Sequence, residues 1–301
     1  MTKRSVAMVD EPLSGRIAVV TGAARGLGAC MAHALVRRGA TVALIGLEEP
    51  ELQRVAASLP GRARYWSADI TDEGALTDAA DSVRQCLGPP SVLVANAGVV
   101  AGGPFLHSDP AVWRRVVEVN LIGSCLTVRA FLPGLLATRG YYLQIASLAA
   151  ITAVPMMSTY CASKAGVEAF AHALRAEVAH AGVDVGIAYL SWTDTDMIHT
   201  PVLRELRAGL PWPVGKIYPP QQVADRLVRG IERREPAVYA QPWLRAVQAL
   251  RGGVPGVVMR RSRHQLHRLV SRGDIEATGL VGEGGRADEA ARSAGARMPD
   301  G

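Results

Sequence analysis

Tyr160 and Lys164 stand four positions apart in Tyr-Cys-Ala-Ser-Lys, inside a stretch of helical pattern. At that spacing both side chains project from one helix face. A phenol ordinarily titrates near 10 and is a poor base at neutral pH. A neighbouring ammonium stabilises the phenolate and brings that value down, which suits the pair to moving a proton. Ser147 stands just past the predicted strand Tyr-Tyr-Leu-Gln-Ile-Ala, where a hydroxyl can hold an oxygen on which charge develops. Asn120 lies in Val-Asn-Leu on the helical stretch before it. Singly, each has a plain structural explanation: Tyr-x-x-x-Lys arises by chance in many helices, Asn120 can be a polar helix residue, and Ser147 a strand-end hydroxyl.

A second group could hold an anion. Thr21-Gly-Ala-Ala-Arg-Gly-Leu-Gly28 joins a short apolar run to a helical pattern. Gly22 lets the chain turn off the strand, Gly26 leaves room for a phosphate to reach backbone amides, and Gly28 lets the helix lie close to the sheet. The helix N-terminus adds a partial positive charge. Asp69-Ile70 and Asn96-Ala97-Gly98 end the next strands that count. Asp69 as a helix cap and Asn96 as a turn former are the structural alternatives.

The G-x-x-x-G-x-G spacing, Asn-Ala-Gly, Ser147 and Tyr-x-x-x-Lys, in this order over residues 14–240, resemble the short-chain dehydrogenase/reductase family. The resemblance implies hydride transfer between a nicotinamide dinucleotide and an alcohol or carbonyl, without a metal. It implies Asn120, Ser147, Tyr160 and Lys164 as catalytic, Asn120 supporting a proton-relay water and Lys164 also binding the nicotinamide ribose. The cofactor contacts it implies are Gly22, Arg25, Gly26, Leu27, Gly28, Asp69, Ile70, Asn96, Ala97, Gly98, Tyr160, Lys164, Thr193 and Thr195. Asp69 would lie near the adenine ring, Asn96 beside the adenosine ribose and Thr195 near the nicotinamide carboxamide. Two positions depart from the family. Leu190-Ser191 replaces the usual Pro-Gly, and neither the acidic residue of NAD users at Gly46 nor the arginine of NADP users at Leu47 is present. Arg25 can meet a 2′-phosphate and Glu48 would oppose one, so the choice between NADP and NAD stays open with a lean to NADP. Epimerisation or dehydration by related chemistry, and a dinucleotide-binding regulator without catalysis, are the competing readings.

These residues need a scaffold, and the pattern supplies one. Strands are predicted at 16–20, 41–45, 63–67, 91–95, 141–146, 183–189 and 237–240. Helices are predicted at 26–38, 50–58, 73–86, 109–137, 157–181 and 219–233. Several strands, such as Ile-Ala-Val-Val, are apolar throughout, as in parallel strands covered on both faces. The expected fold is α/β, a single Rossmann-type doubly wound parallel sheet with helices on both faces and a C-terminal helical extension. It divides into an N-terminal arm (1–14), the Rossmann domain (15–240), a basic helical extension (241–270) broken at Gly252-Gly253 and Pro255, and a disordered tail (271–301) poor in large apolar residues.

The net charge of +6 comes from seven arginines between Pro236 and Gly273, without which the chain is slightly acidic. Such a segment reads as a solvated helix face, or as a surface making weak contact with an anionic membrane or an acidic carrier protein. No nucleic-acid motif accompanies it. The four scattered cysteines form no metal or disulfide pattern and fit a reducing, cytoplasmic setting. No run of eighteen apolar residues suggests a membrane span. The stretch after Ser147 (Leu148, Val154, Met156, Met157) and the 197–218 loop (Ile198, Val202, Leu203, Leu206, Leu210, Trp212) are apolar, which favours a hydrophobic small-molecule substrate. The long helices 109–137 and 157–181 match those through which family members form a homodimer or homotetramer.

Overall fold

The computed structural model describes residues 11–199, 201–271 and 277–295. Seven strands form one parallel sheet: β1 (Ile17–Thr21), β2 (Thr41–Gly46), β3 (Ala63–Ser67), β4 (Val92–Ala95), β5 (Tyr141–Ile145), β6 (Asp184–Tyr189) and β7 (Ala237–Tyr239). Their order is β3-β2-β1-β4-β5-β6-β7, so the chain reverses direction across the sheet between β1 and β4. A crevice opens there at the carboxyl ends of the strands, which is where doubly wound sheets take their ligands. The register pairs Val20 with Leu44 on one side and with Val94 on the other.

Successive residues of one strand feed opposite cores. Val19 joins a cluster with Leu93, Tyr142 and Ile187, whereas Ala18 and Val20 join Leu44, Val94 and Leu143 on the other face. Both faces are therefore dry, which is why these strands carry no polar alternation. Helices α1 (Gly26–Arg37), α2 (Glu49–Ala57) and α3 (Glu73–Leu87) link the first half. Asp72 caps α3 by accepting the Ala75 N–H at 3.0 Å. In the second half α4 (Pro110–Val117) begins at a proline behind the cap Asp109 and passes through a π turn, Glu118–Ile122, into α5 (Gly123–Thr138). Then come the short α6 (Leu148–Ile151), α7 (Ser158–Val178), α8 (Pro201–Ala208) and α9 (Pro220–Glu232). The 110–138 run is long and apolar enough to pass for a membrane span, contrary to the expectation from sequence. It lies across the sheet between α3 and α7, so its apolar character has a partner on the core side.

The basic extension forms α10 (Trp243–Ala249) and α11 (Val254–Ser271), with the predicted break between them. It is anchored: Leu244 is fully buried, and Arg251 pairs with Glu168 of α7 through both carboxylate oxygens at 3.0 Å. Leu250, Val257 and Met259 face outward. The side chains of His264, Leu266, His267 and Leu269 lie outside the described residues. The expectation of a disordered tail needs correcting for residues 277–295. Leu280 and Val281 are buried, and α12 (Gly282–Gly295) packs on the domain, because Asp288 meets a buried arginine far back in the chain. The remaining tail positions, 272–276 and 296–301, and residues 1–10 of the arm fall outside the described residues.

Because Leu244 fills the same core as the sheet, Leu244→Ala should destabilise the whole domain by about 2–5 kcal/mol. Urea unfolding checks this; an unchanged midpoint would make α10 a surface addition.

Candidate active site

A cavity of about 280 Å³ lies in the crevice. Its floor is the glycine-rich turn, which reaches that position through very close contacts. A Cβ on Gly28 would fall 2.2 Å from the Gly22 carbonyl oxygen, and one on Gly22 would fall 2.8 Å from Ala97 Cα. Asn96 clamps the turn to β4: its side-chain amide donates to the carbonyls of Thr21 (2.9 Å) and Gly22 (3.3 Å). The Thr21 hydroxyl in return accepts the N–H groups of Asn96 and Ala97 at 3.1 Å. Asn96 thus shapes the cradle through the protein's own backbone.

Ser147 caps α6, its hydroxyl accepting the Ala149 N–H at 3.1 Å. The Tyr160 phenol, one helix later, lines the cavity beside it. Burial pushes that phenol up to about 12, with the Ser147 hydroxyl offsetting part of the rise. Lys164, a turn further on, is buried and donates to the Ile145 carbonyl at 3.2 Å, with its ammonium 5.8 Å from the Tyr160 ring centre. Burial draws the ammonium down to about 8. Asn120, fully buried on the π turn, grips the loop after β4: Oδ1 accepts the Val99 N–H at 2.8 Å, and Nδ2 donates to the Val99 carbonyl and Ser163. Gly98 fits between Asn120 and Lys164, where a Cβ would lie 3.0 Å and 3.5 Å from Oδ1 and Nζ. The structure therefore brings Ser147, Tyr160 and Lys164 to one end of the cavity, with Asn120 buried behind Gly98 and outside its lining, on a π turn of the kind that recurs at functional sites.

Gly22, Arg25, Gly26, Leu27, Gly28, Asn96, Ala97, Gly98, Thr193 and Thr195 line the same cavity. Asp69 and Ile70 do not. The Asp69 carboxylate accepts the Thr71 N–H and hydroxyl at 2.8 Å and Arg115 at 2.9 Å. Burial alone would raise this carboxyl, but those donors outweigh it and hold it below its ordinary value. Ile70 packs into the core under Gly123. At the departure after β6, the Ser191 N–H donates to the buried Gln241 side chain at 3.0 Å, and Leu190 sits in the core.

The residues present fit a dinucleotide. Arg25 Nε, Ser191 Oγ and Trp192 Nε1 are buried with no protein partner, and all three residues line the cavity. They stand at the phosphate cradle and beside the catalytic cluster, the two ends that such a ligand spans. Trp192 also packs on an apolar cluster of Val100, Met157, Leu203 and Val281. Leu148, Val154 and Ile198 line the cavity as expected, whereas Leu210 and the exposed Trp212 do not. Val202 and Leu206 lie outside the described side chains. Sequence reasoning missed Gly282–Gly285, which close the cavity from the C-terminal side, and Glu283, which joins Glu48 on the Arg25 guanidinium. The only local signal was the Gly-Glu-Gly-Gly run itself.

Lys164 gives the free protein a pH signature. Between about 8 and its ordinary 10.5 the unfolded chain holds a proton that the folded chain has released. This group's contribution to stability therefore rises with pH across that window and is flat below it. Lys164→Met should remove that slope when urea unfolding at about pH 8 and pH 9.5 is compared. An identical slope in both proteins would rule out a depressed lysine.

A family profile described as short chain dehydrogenase matches residues 16–204. The chain is 29% identical over 227 residues to 2-(S)-hydroxypropyl-CoM dehydrogenase 3 of Xanthobacter autotrophicus, covering 72% of this chain and 89% of that protein. It is 31% identical to cis-4-hydroxycyclohexanecarboxylate dehydrogenase of Sinomonas cyclohexanicum, covering 73% and 90%. Dehydrogenase/reductase SDR family member 7B of Bos taurus is 30% identical over 81% of this chain and 79% of its own. The profile runs from β1 past the turn after β6, so cradle and catalytic cluster both fall within it. The chain belongs to the short-chain dehydrogenase family and is an NAD(P)-dependent oxidoreductase.

Proposed function

We propose that the protein interconverts an apolar secondary alcohol and its ketone, with Tyr160 as the acid/base. The observation that carries this is the meeting of Ser147 and Tyr160 with a wall of Leu148, Val154, Met157, Leu203 and Trp192 in one cavity. A bound nicotinamide would be the donor or acceptor of the hydride and, in its oxidised form, would add positive charge to the site. In the reducing direction Ser147 holds the carbonyl oxygen, and the Tyr160 phenol gives it a proton as the carbon accepts hydride. In the oxidising direction the phenolate takes the hydroxyl proton. The buried Tyr160 phenol is no base at neutral pH by itself, so positive charge from Lys164 and the ring is what makes that direction accessible. Lys164 would bind the nicotinamide ribose, and Asn120 holds the loop that Gly98 and Lys164 abut. Xanthobacter and Sinomonas relatives named for hydroxylated substrates support the alcohol/ketone class. The lean to NADP rested on Arg25, and that guanidinium already faces two carboxylates.

Turnover across a panel of hydrophobic alcohols and ketones with NAD and NADP tests the reading. Tyr160→Phe should lower turnover by about 100-fold or more and leave dinucleotide binding nearly intact. Lys164→Ala should impair both. A Phe variant that keeps most of its rate would defeat the mechanism.

We also propose self-association through α5 and α7. They share a shallow apolar groove that includes Leu132, Pro133, Leu136, Phe170 and Leu174, with Leu136 and Ile122 exposed beside it. Light scattering should give a dimer or tetramer, weakened by Leu136→Glu; a monomeric parent protein would exclude it.

A further inference from the structure

One wall of the cavity lies wholly outside the family match. Residues 278–288 cross over the site as a strap fixed at both ends. At one end Thr278 donates its N–H to the Gly102 carbonyl at 2.8 Å, and its hydroxyl accepts the Gly102 N–H at 2.9 Å. Val281 N–H donates to the Val100 carbonyl at 2.9 Å, so the strap runs along the loop that follows β4. Val281 then enters the apolar cluster on the substrate side. At the other end Asp288, 3% exposed, binds Arg115, 6% exposed, through Nε and Nη2 at 2.6–3.0 Å. Arg115 is itself held by Asp69 and Glu118 at 2.9 Å each, so this anchor is tied to the end of β3 and to α4.

Between the anchors, Gly282–Gly285 line the cavity and Glu283 reaches the Arg25 guanidinium in the glycine-rich turn. Glu48, after β2, takes the same guanidinium at 2.5 Å. Two carboxylates thus share one cation, and a dianionic phosphate brought to Arg25 meets a locally acidic surface. Specificity set by a repulsive element needs no additional contact with the favoured ligand.

We propose that the C-terminal strap is part of the dinucleotide site and that Glu283, held over Arg25 by the Asp288–Arg115 pair, discriminates against a 2′-phosphate and so favours NAD over NADP. This rests on the dinucleotide reading of the cavity. Unlike an acidic residue at the end of β2, this determinant arrives from the far end of the chain, and it is lost when the strap is released.

Titration calorimetry of the full-length protein with NAD and with NADP tests it. Glu283→Gln should strengthen NADP binding relative to NAD by about fivefold or more at low salt, the scale of one unit charge at contact distance in water. Asp288→Asn leaves the Arg25 surroundings chemically intact but frees the strap, and it should move the ratio the same way. Added salt should narrow the difference between parent and variant. A ratio unchanged in both variants, or a parent protein that already prefers NADP, would overturn the proposal. Failure of the parent to bind either dinucleotide would instead overturn the reading of the cavity beneath it.

Discussion

The site depends on how closely the first turn of α1 approaches the ends of β1 and β4. With Gly28 against the Gly22 carbonyl and Gly22 against Ala97, the backbone has no slack. Asn96 and Thr21 hold that approach by exchanging hydrogen bonds across the two strands. The turn is thereby held against the crevice, and the N-terminal end of α1 brings its partial positive charge to the same place. The sheet order supplies the rest, since only at the reversal between β1 and β4 does a crevice open between strand ends.

Burial has opposite effects on the two groups that would move the proton. It raises the Tyr160 phenol to about 12 and lowers the Lys164 ammonium to about 8, so in the free protein the phenol is held neutral while the lysine keeps its charge at neutral pH by a narrower margin. Positive charge brought beside the phenol would lower it again, the direction that the proposed acid/base role requires. Asn120 and Gly98 contribute by geometry. The π turn places the Asn120 amide so that both its N–H donors and one acceptor site go to Val99 and Ser163, which holds the loop and α7 together under the cluster.

The C-terminal third is integrated through buried charge. Glu168 of α7 accepts from Arg251, Tyr189 and Gln248, and Arg115 of α4 donates to Asp288, Asp69 and Glu118. A buried charge left without its partner is costly, and the buried group is the Glu168 carboxylate in the first network and the Arg115 guanidinium in the second, so each favours the docked arrangement of the segment it recruits. The first ties the end of α10 to α7; the second carries α12, whose first turn closes the cavity.

Much of this was legible in the residues themselves. Strand positions followed from apolar runs that need no alternation when both faces are covered, and the observed strands differ from those runs by a residue at their ends. The cradle and the Tyr160–Lys164 pair were legible because helix periodicity and turn chemistry act over a few residues. Asp69 shows a limit of local reading: its type and place after a strand fit a ligand contact, whereas its bond to Arg115, 46 residues away, could not be read from the neighbouring residues. The order in 277–295 was invisible, because a segment poor in large apolar residues gains its stability from Arg115, 173 residues back from Asp288. Likewise Arg25 looked free to meet a phosphate, and only the fold sets Glu283 beside it across 258 residues. Local patterns are written where they act, whereas an ion pair between distant segments exists only once the chain has folded and the protein has excluded water from around it.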